Sequence, residues 1–169
     1  ADALAFAVEA IDTPVAADLA LDVLNSDNIT QPERRDVIRA VAVAGETEQL
    51  GRLLEWMLQD DATDLSGRRF KPLLDRTKRD GAIPADASRT LAKLLQSDAL
   101  VDNTSVETVA SMARLWKVTQ LETLLIDQLK EAQGDLRTVI VSALGGLDTD
   151  NTRRLLSQLL ADADPRNRI

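Results

Sequence analysis

One helical pattern returns five times along the chain, and this repetition constrains the fold more than any other feature. Five segments end on a leucine after a similar apolar run, and their final leucines are Leu24, Leu58, Leu95, Leu129 and Leu160. The intervals between successive final leucines are 34, 37, 34 and 31 residues. Intervals of this length are typical of repeats built from two antiparallel helices. The sequence therefore predicts a stack of helical hairpins.

Each of the five segments also carries an apolar stripe. The positions one, four and five residues before the final leucine are apolar in nearly every segment, with Thr90 and Gln128 as the two exceptions. These offsets place the side chains on one face of an α-helix. We therefore expect a buried stripe that includes Leu58 and Leu125 in the central repeats. Its further members include Leu19, Leu53, Leu54, Met57, Leu91, Leu155 and Leu156.

A second apolar segment precedes each stripe and is predicted to be the first helix of a hairpin. Helix-start signals support this division: Thr13 is followed by Pro14, and Thr30 and Glu33 have the spacing of a capping box. Pro72 must begin or kink its helix. We predict a single domain over 1–169, with repeats at approximately 1–30, 31–65, 66–102, 103–133 and 134–164.

The glycine pair in "ALGGLDTDN" at 143–151 allows two interpretations, a phosphate-binding loop or the end of a helix. A phosphate loop requires a preceding strand and a fuller glycine pattern, which this stretch lacks. Gly45 and Gly81 occupy similar places in earlier repeats. We therefore predict that Gly145 and Gly146 end a helix, where a positive φ is useful, and that the following "DTDN" caps the next helix.

Composition excludes several classes of chemistry. The chain has no Cys and no His, so disulfides, thiolate metal sites and histidine acid–base catalysis are excluded. Aromatic residues make up 2% of the chain, and a core of Leu, Val and Ala favours helices. Trp116 shares the apolar side of its helix and is predicted to be buried. The apolar stretch "ALAFAVEAI" is too short to span a membrane and contains Glu9.

Acidic clusters at 59–64 and 148–151 raise the question of calcium. Neither has the spacing of an EF-hand loop or its closing glutamate, so helix capping is the preferred interpretation. The remaining Ser, Thr, Lys and carboxylate residues form no recognisable catalytic constellation. We therefore predict a protein that is not an enzyme, with no catalytic residue, metal or cofactor.

Residues 135–160, "DLRTVIVSALGGLDTDNTRRLLSQLL", resemble a HEAT-like repeat. Arg137 matches the arginine of its first helix, the "ALG" at 143–145 matches the small-Leu-Gly ending, and Leu155 and Leu156 match the leucine pair of the second helix. The repeat at 31–65 keeps part of this pattern in Arg39, Gly45, Leu53 and Leu54. The resemblance implies an all-α fold, a right-handed α-α superhelix of about five hairpins of the HEAT-like or ARM-like solenoid class.

Two mostly polar positions, six and two residues before each final leucine, share another face of the second helix. In HEAT-like solenoids that face is concave. It contains Arg52, Trp56, Arg89 and Lys93, which we predict to form a patch for an acidic peptide or neighbouring domain. The alternatives are that Trp56 packs on a neighbouring repeat and that the basic stretch from Arg68 to Lys93 is simply solvated.

The expected function is that of a non-catalytic scaffold or a module for protein–protein or interdomain interaction. The partner would be a protein, a peptide or an adjacent domain of the same chain, with no membrane. A net charge of −8 disfavours nucleic acid. Two alternatives stay open: a HEAT-like nucleic-acid-binding protein, and a spacer within a large secreted multidomain bacterial enzyme. The ending "DADPRNRI" resembles the start of another repeat, which suggests a slice of a longer protein.

Overall fold

The computed structural model describes residues 13–26, 29–60, 69–96 and 103–161, and every regular element in those ranges is helical. The prediction of an all-α protein is therefore confirmed at the level of fold class. The helices are α1 (Pro14–Leu24), α2 (Gln31–Ala44), α3 (Thr47–Asp60), α4 (Lys71–Asp80), α5 (Ala87–Leu95), α6 (Asn103–Leu115), a 3-10 helix (Thr119–Leu121), α7 (Glu122–Glu131), α8 (Gly134–Leu147) and α9 (Asp150–Ala161).

The chain divides between Ala87 and Ser88 into two compact units. In the first unit, α2 packs against α1, α3 and α4, and α1 also packs against α3. In the second unit, α8 packs against α6, α7 and α9. Each unit is thus organised around a helix that the sequence assigns as the first of its hairpin. The segment predicted as the first helix of repeat 1–30, within residues 1–12, lies outside the described residues.

The helix starts predicted at Thr13 and at Thr30 are confirmed. The Thr13 hydroxyl accepts a hydrogen bond from the backbone N–H of Ala16, and Pro14 is the first residue of α1. At the start of α2, the backbone N–H and the hydroxyl of Thr30 both donate to the Glu33 carboxylate, at 2.8 and 2.7 Å. These bonds lower the pKa of Glu33 because they stabilise its charged form. Pro72 is the second residue of α4, where it begins the helix rather than kinking it.

The glycine predictions are only partly correct. Gly81 follows α4 with φ of 78°, as expected of a residue that ends a helix in the left-handed region. Gly45 follows α2, but its backbone is extended, with φ of −73°. Gly145 and Gly146 do not end a helix: α8 continues to Leu147, and the left-handed residue is Asp148, with φ of 55°. The aspartate takes this conformation because its short polar side chain tolerates it.

Close packing explains Gly146 better than backbone freedom does. A Cβ at Gly146 would lie 2.2 Å from Cγ of Arg114, whose side chain crosses α8 at this point and donates to the Ser142 hydroxyl at 2.9 Å. At Gly145 the nearest atom to an added Cβ would be Cδ1 of Leu156, at an ordinary 3.6 Å. Gly146 therefore leaves room for a side chain of a neighbouring helix, whereas a methyl group at Gly145 would only touch Leu156 at an ordinary contact distance.

The apolar stripe of the described helices is buried or half-buried except at two positions, Leu19 on α1 and Leu160 on α9. Leu53, Leu54, Leu91 and Leu125 are fully buried. The sequence assignment is wrong at Leu19 and Leu160, which are 59% and 64% exposed. Leu58 is half-buried, and the adjacent Met57 takes the buried place in α3. Trp116 is buried, as predicted.

Candidate binding face

The structure divides the four predicted binding residues between the two units. Arg52 and Trp56 lie one turn apart on α3 in the first unit, and Arg89 and Lys93 lie one turn apart on α5 in the second. Arg52, Arg89 and Lys93 are exposed and Trp56 is half-buried. The spacing of four residues along one helix accounts for each pairing.

Arg52 is held by two carboxylates of the preceding second helix. Its Nη1 lies 2.6 Å from Oδ1 of Asp18, and its Nη2 lies 3.7 Å from Oδ1 of Asp22. Asp18 also accepts hydrogen bonds from the side-chain amide of Gln49, at 3.2 and 3.3 Å. The positive charge of Arg52 is therefore largely compensated within the protein. The sequence contained this signal, because Asp18 and Asp22 occupy the same two polar positions one repeat earlier.

Trp56 is neither a fully exposed anchor nor a core residue. The guanidinium of Arg34, on α2, lies over its ring, with Cζ 5.6 Å from the ring centroid. This arrangement is a cation–π contact between the two helices of one hairpin. It covers part of the indole and leaves the side chain half-exposed. The contact was not predicted from the sequence. In this repeat the HEAT-like pattern of the sequence includes a different arginine, Arg39. Arg39 is exposed and forms an ion pair with Asp36 on its own helix.

Arg89 and Lys93 differ from Arg52 in their surroundings. Both side chains are exposed on α5, and the residues between them, Thr90 and Leu91, are buried on the opposite side of the helix. Within the described part of the chain, neither cation has an ion-pair or hydrogen-bond partner on its side chain. Two positive charges that no described residue pairs with therefore lie one helical turn apart on α5.

The "DTDN" cluster caps α9, as predicted. The Thr149 hydroxyl accepts from the backbone N–H of Thr152 at 3.1 Å, and the Arg153 guanidinium donates to Asp148 at 2.9 Å. This hydrogen bond and the positive charge of Arg153 lower the pKa of Asp148. Asn151 donates to Glu122 at the start of α7. The acidic cluster at 59–64 lies mostly outside the described residues.

A shallow depression of about 620 Å³ in the first unit is lined by Glu46, Thr47, Glu48, Arg76, Ala82 and Ala85. Its one cation, Arg76, forms an ion pair with Asp80 at 3.1 Å and donates to the backbone carbonyl of Val43. The ion pair lies within α4, and the bond to Val43 joins α4 to the end of α2, so Arg76 has a structural role. Among the described residues, no three acidic side chains are grouped closely enough to hold a metal ion.

The described helices define an all-α protein, and comparison with known proteins adds no family to that description. A scan against protein-family models gave no match, and searches of curated proteins and of solved structures likewise found no significant similarity. None of the helices in the described ranges has the length and apolar character needed to cross a bilayer.

Proposed function

We propose that the protein is a HEAT-like α-solenoid of about five hairpins that acts as a non-catalytic scaffold or interaction module. The helix packing within each unit supports this proposal. In the first unit the first helices α2 and α4 pack together, as do the second helices α1 and α3, and in the second unit α6 packs against α8. Packing of like helices from successive hairpins is the arrangement that repeat proteins use to bury their apolar faces.

The observation that carries the proposal is a contact that recurs in both units. Gln49 of α3 donates its side-chain amide to Asp18 of α1, and Asn151 of α9 donates its amide to Glu122 of α7. Gln49 and Asn151 both lie nine residues before the final leucine of their helices. Both acceptors are carboxylates in the first half of the preceding second helix, and Asp18 and Glu122 lie six and seven residues before its final leucine. Such a recurrence follows directly if successive hairpins stack in the same way.

The proposed mechanism is recognition by a row of exposed side chains on the second helices. The positions six and two residues before the final leucine are exposed or half-exposed on α1, α3, α5, α7 and α9. Extended faces of this kind bind by shape and charge and need no catalytic group. The proposed partner is a protein, a peptide or another domain of the same chain, because the net charge of −8 opposes binding to a phosphate backbone.

Small-angle X-ray scattering tests the proposed architecture. A compact globule of this length has a radius of gyration of about 15 Å. Five stacked hairpins with helices 8–10 Å apart would be elongated, and we expect a value of roughly 18 Å. A radius near that of the globule, in a folded monomer, would contradict the solenoid.

Site-specific photo-crosslinking tests the proposed face. A photoreactive amino acid is placed at exposed second-helix positions, Glu55 and Asp127, and at exposed first-helix positions, Arg35 and Thr138, as matched controls. In cells of the source organism, we expect crosslinked products mainly from the second-helix positions. Equal crosslinking from both sets would show that the second helices are not the interaction face.

A further inference from the structure

We propose that Arg89 and Lys93 on α5 form the docking site for an acidic helical segment of the partner. This inference rests on the proposed function, because it specifies which part of the second-helix face binds and what it recognises. Both side chains are exposed and lie four residues apart on the same side of the helix.

Arg89 and Lys93 differ from most other cationic side chains in the described ranges, which are paired within the protein. Most Lys and Arg side chains in the described ranges form an ion pair, a hydrogen bond or a ring contact within the protein, as Arg52 does with Asp18. Among the described residues, the side chains that form none are Arg35, Lys78, Arg89, Lys93 and Lys117. Of these five, Arg89 and Lys93 are the two that share one face of one helix.

Their spacing defines the ligand. Like charges four residues apart repel each other on a helix, and here no carboxylate of the described residues relieves the repulsion. A partner that brings two carboxylates to this face would neutralise both cations and so remove the repulsion between them. Since residues one helical turn apart have Cβ atoms about 5–6 Å apart, a partner helix with glutamates four residues apart matches the two cations. Arg52 lacks this capacity because Asp18 and Asp22 already occupy its guanidinium.

The test measures binding of a labelled peptide to the whole chain by fluorescence anisotropy. The probe is an alanine-based helix of about four turns, roughly 14 residues, that carries glutamate pairs four residues apart. A peptide with glutamine in place of glutamate is the neutral control. The test variant is Arg89→Glu with Lys93→Glu. The matched control variant is Arg35→Glu with Lys78→Glu, which changes the net charge equally but on the first helices α2 and α4.

We expect the wild type to bind the acidic peptide more tightly than the neutral one, and more tightly at about 0.01 M than at about 0.15 M ionic strength. The α5 variant should bind the acidic peptide at least about tenfold more weakly, and the first-helix variant should stay within about twofold of the wild type. Arg89→Gln with Lys93→Gln provides a milder second variant, with an expected loss of about threefold, and circular dichroism checks that each variant is folded.

Equal weakening by both charge-reversal variants would overturn the inference, because it would show that binding depends on the overall charge of the protein and not on Arg89 and Lys93 in particular. The same holds if the acidic peptide binds no better than the neutral one, or if a single-stranded oligonucleotide displaces the peptide more effectively than unlabelled peptide does. These outcomes leave the proposed function standing whenever photo-crosslinks still map to the second helices. Loss of that crosslinking pattern would refute the proposed function itself.

Discussion

Nη1 of Arg52 lies 2.6 Å from Oδ1 of Asp18, which precedes it by 34 residues and holds the same position, six residues before the final leucine, in the preceding second helix. The pair joins α3 to α1 on the face that the sequence had assigned to a partner. Some of the polar side chains on that face therefore bind successive second helices to each other. The amide of Gln49 reinforces the same carboxylate.

A double-mutant cycle over Asp18→Ala and Arg52→Ala measures this contact. The two side chains are 43% and 47% exposed, so solvent screens their attraction, and we expect a coupling energy of about 0.5 kcal/mol. The coupling should fall as salt is added. Urea unfolding of the four proteins at two salt concentrations provides the measurement, and zero coupling at low salt would show that the ion pair does not stabilise the fold.

Leu125 and Leu160 belong to the same apolar stripe but should respond differently to truncation. Leu125 is fully buried, so Leu125→Ala is expected to lower the free energy of unfolding by about 2–5 kcal/mol. Leu160 is 64% exposed, so Leu160→Ala should change it by less than about 0.5 kcal/mol. Chemical denaturation of both variants decides the matter, and comparable losses would mean that the side of α9 bearing Leu160 is covered in solution.

The two adjacent glycines of α8 offer a matched pair of substitutions. Gly145→Ala should stabilise the protein by a few tenths to about 1 kcal/mol, because alanine favours the helix and fits beside Leu156. Gly146→Ala should be less stable than Gly145→Ala by about 1–2 kcal/mol, because its Cβ displaces the Arg114 side chain. Thermal unfolding compares the two, and introducing Arg114→Ala should remove the difference. A difference that persists without the arginine side chain would exclude this explanation.

The capping box at Thr30 and Glu33 predicts a pH dependence with a defined sign. The pKa of Glu33 is lower in the folded protein than in the unfolded chain, because two hydrogen bonds from Thr30 stabilise its carboxylate. The unfolded chain therefore takes up the proton first as the pH falls. The stability from this group is complete above the unfolded pKa and is lost as the pH falls through the folded pKa.

Glu33→Gln isolates that contribution. We expect the wild type to be the more stable protein at neutral pH, and the difference should vanish under strongly acidic conditions where Glu33 is protonated in both states. Urea unfolding at several pH values measures the difference directly. A gap between the two proteins that does not change with pH would show that the glutamate charge has no part in the cap.

Local features of the sequence were sufficient to predict the described helices and the starts of four of them, α1, α2, α4 and α9. The capping oxygens of Thr13, Thr30 and Thr149 act on backbone N–H groups within three residues, so their effect is visible in a short window of sequence. The apolar period likewise identified Leu54, Leu91 and Leu125 as core residues, because the helix itself determines which side chains share a face.

The contacts that a side chain makes with other helices were determined by the tertiary structure. The sequence could not show that Arg34 lies over Trp56, that Arg114 crosses α8 at Gly146, or that Leu160 is 64% exposed, since each depends on which helices become neighbours. The same reason explains why the predicted binding residues differ in their surroundings. Helical spacing alone places Arg52 beside Trp56 and Arg89 beside Lys93. Whether such a cation is paired depends on whether a carboxylate of another helix lies within reach, as Asp18 does for Arg52; among the described residues no carboxylate pairs with Arg89 or Lys93.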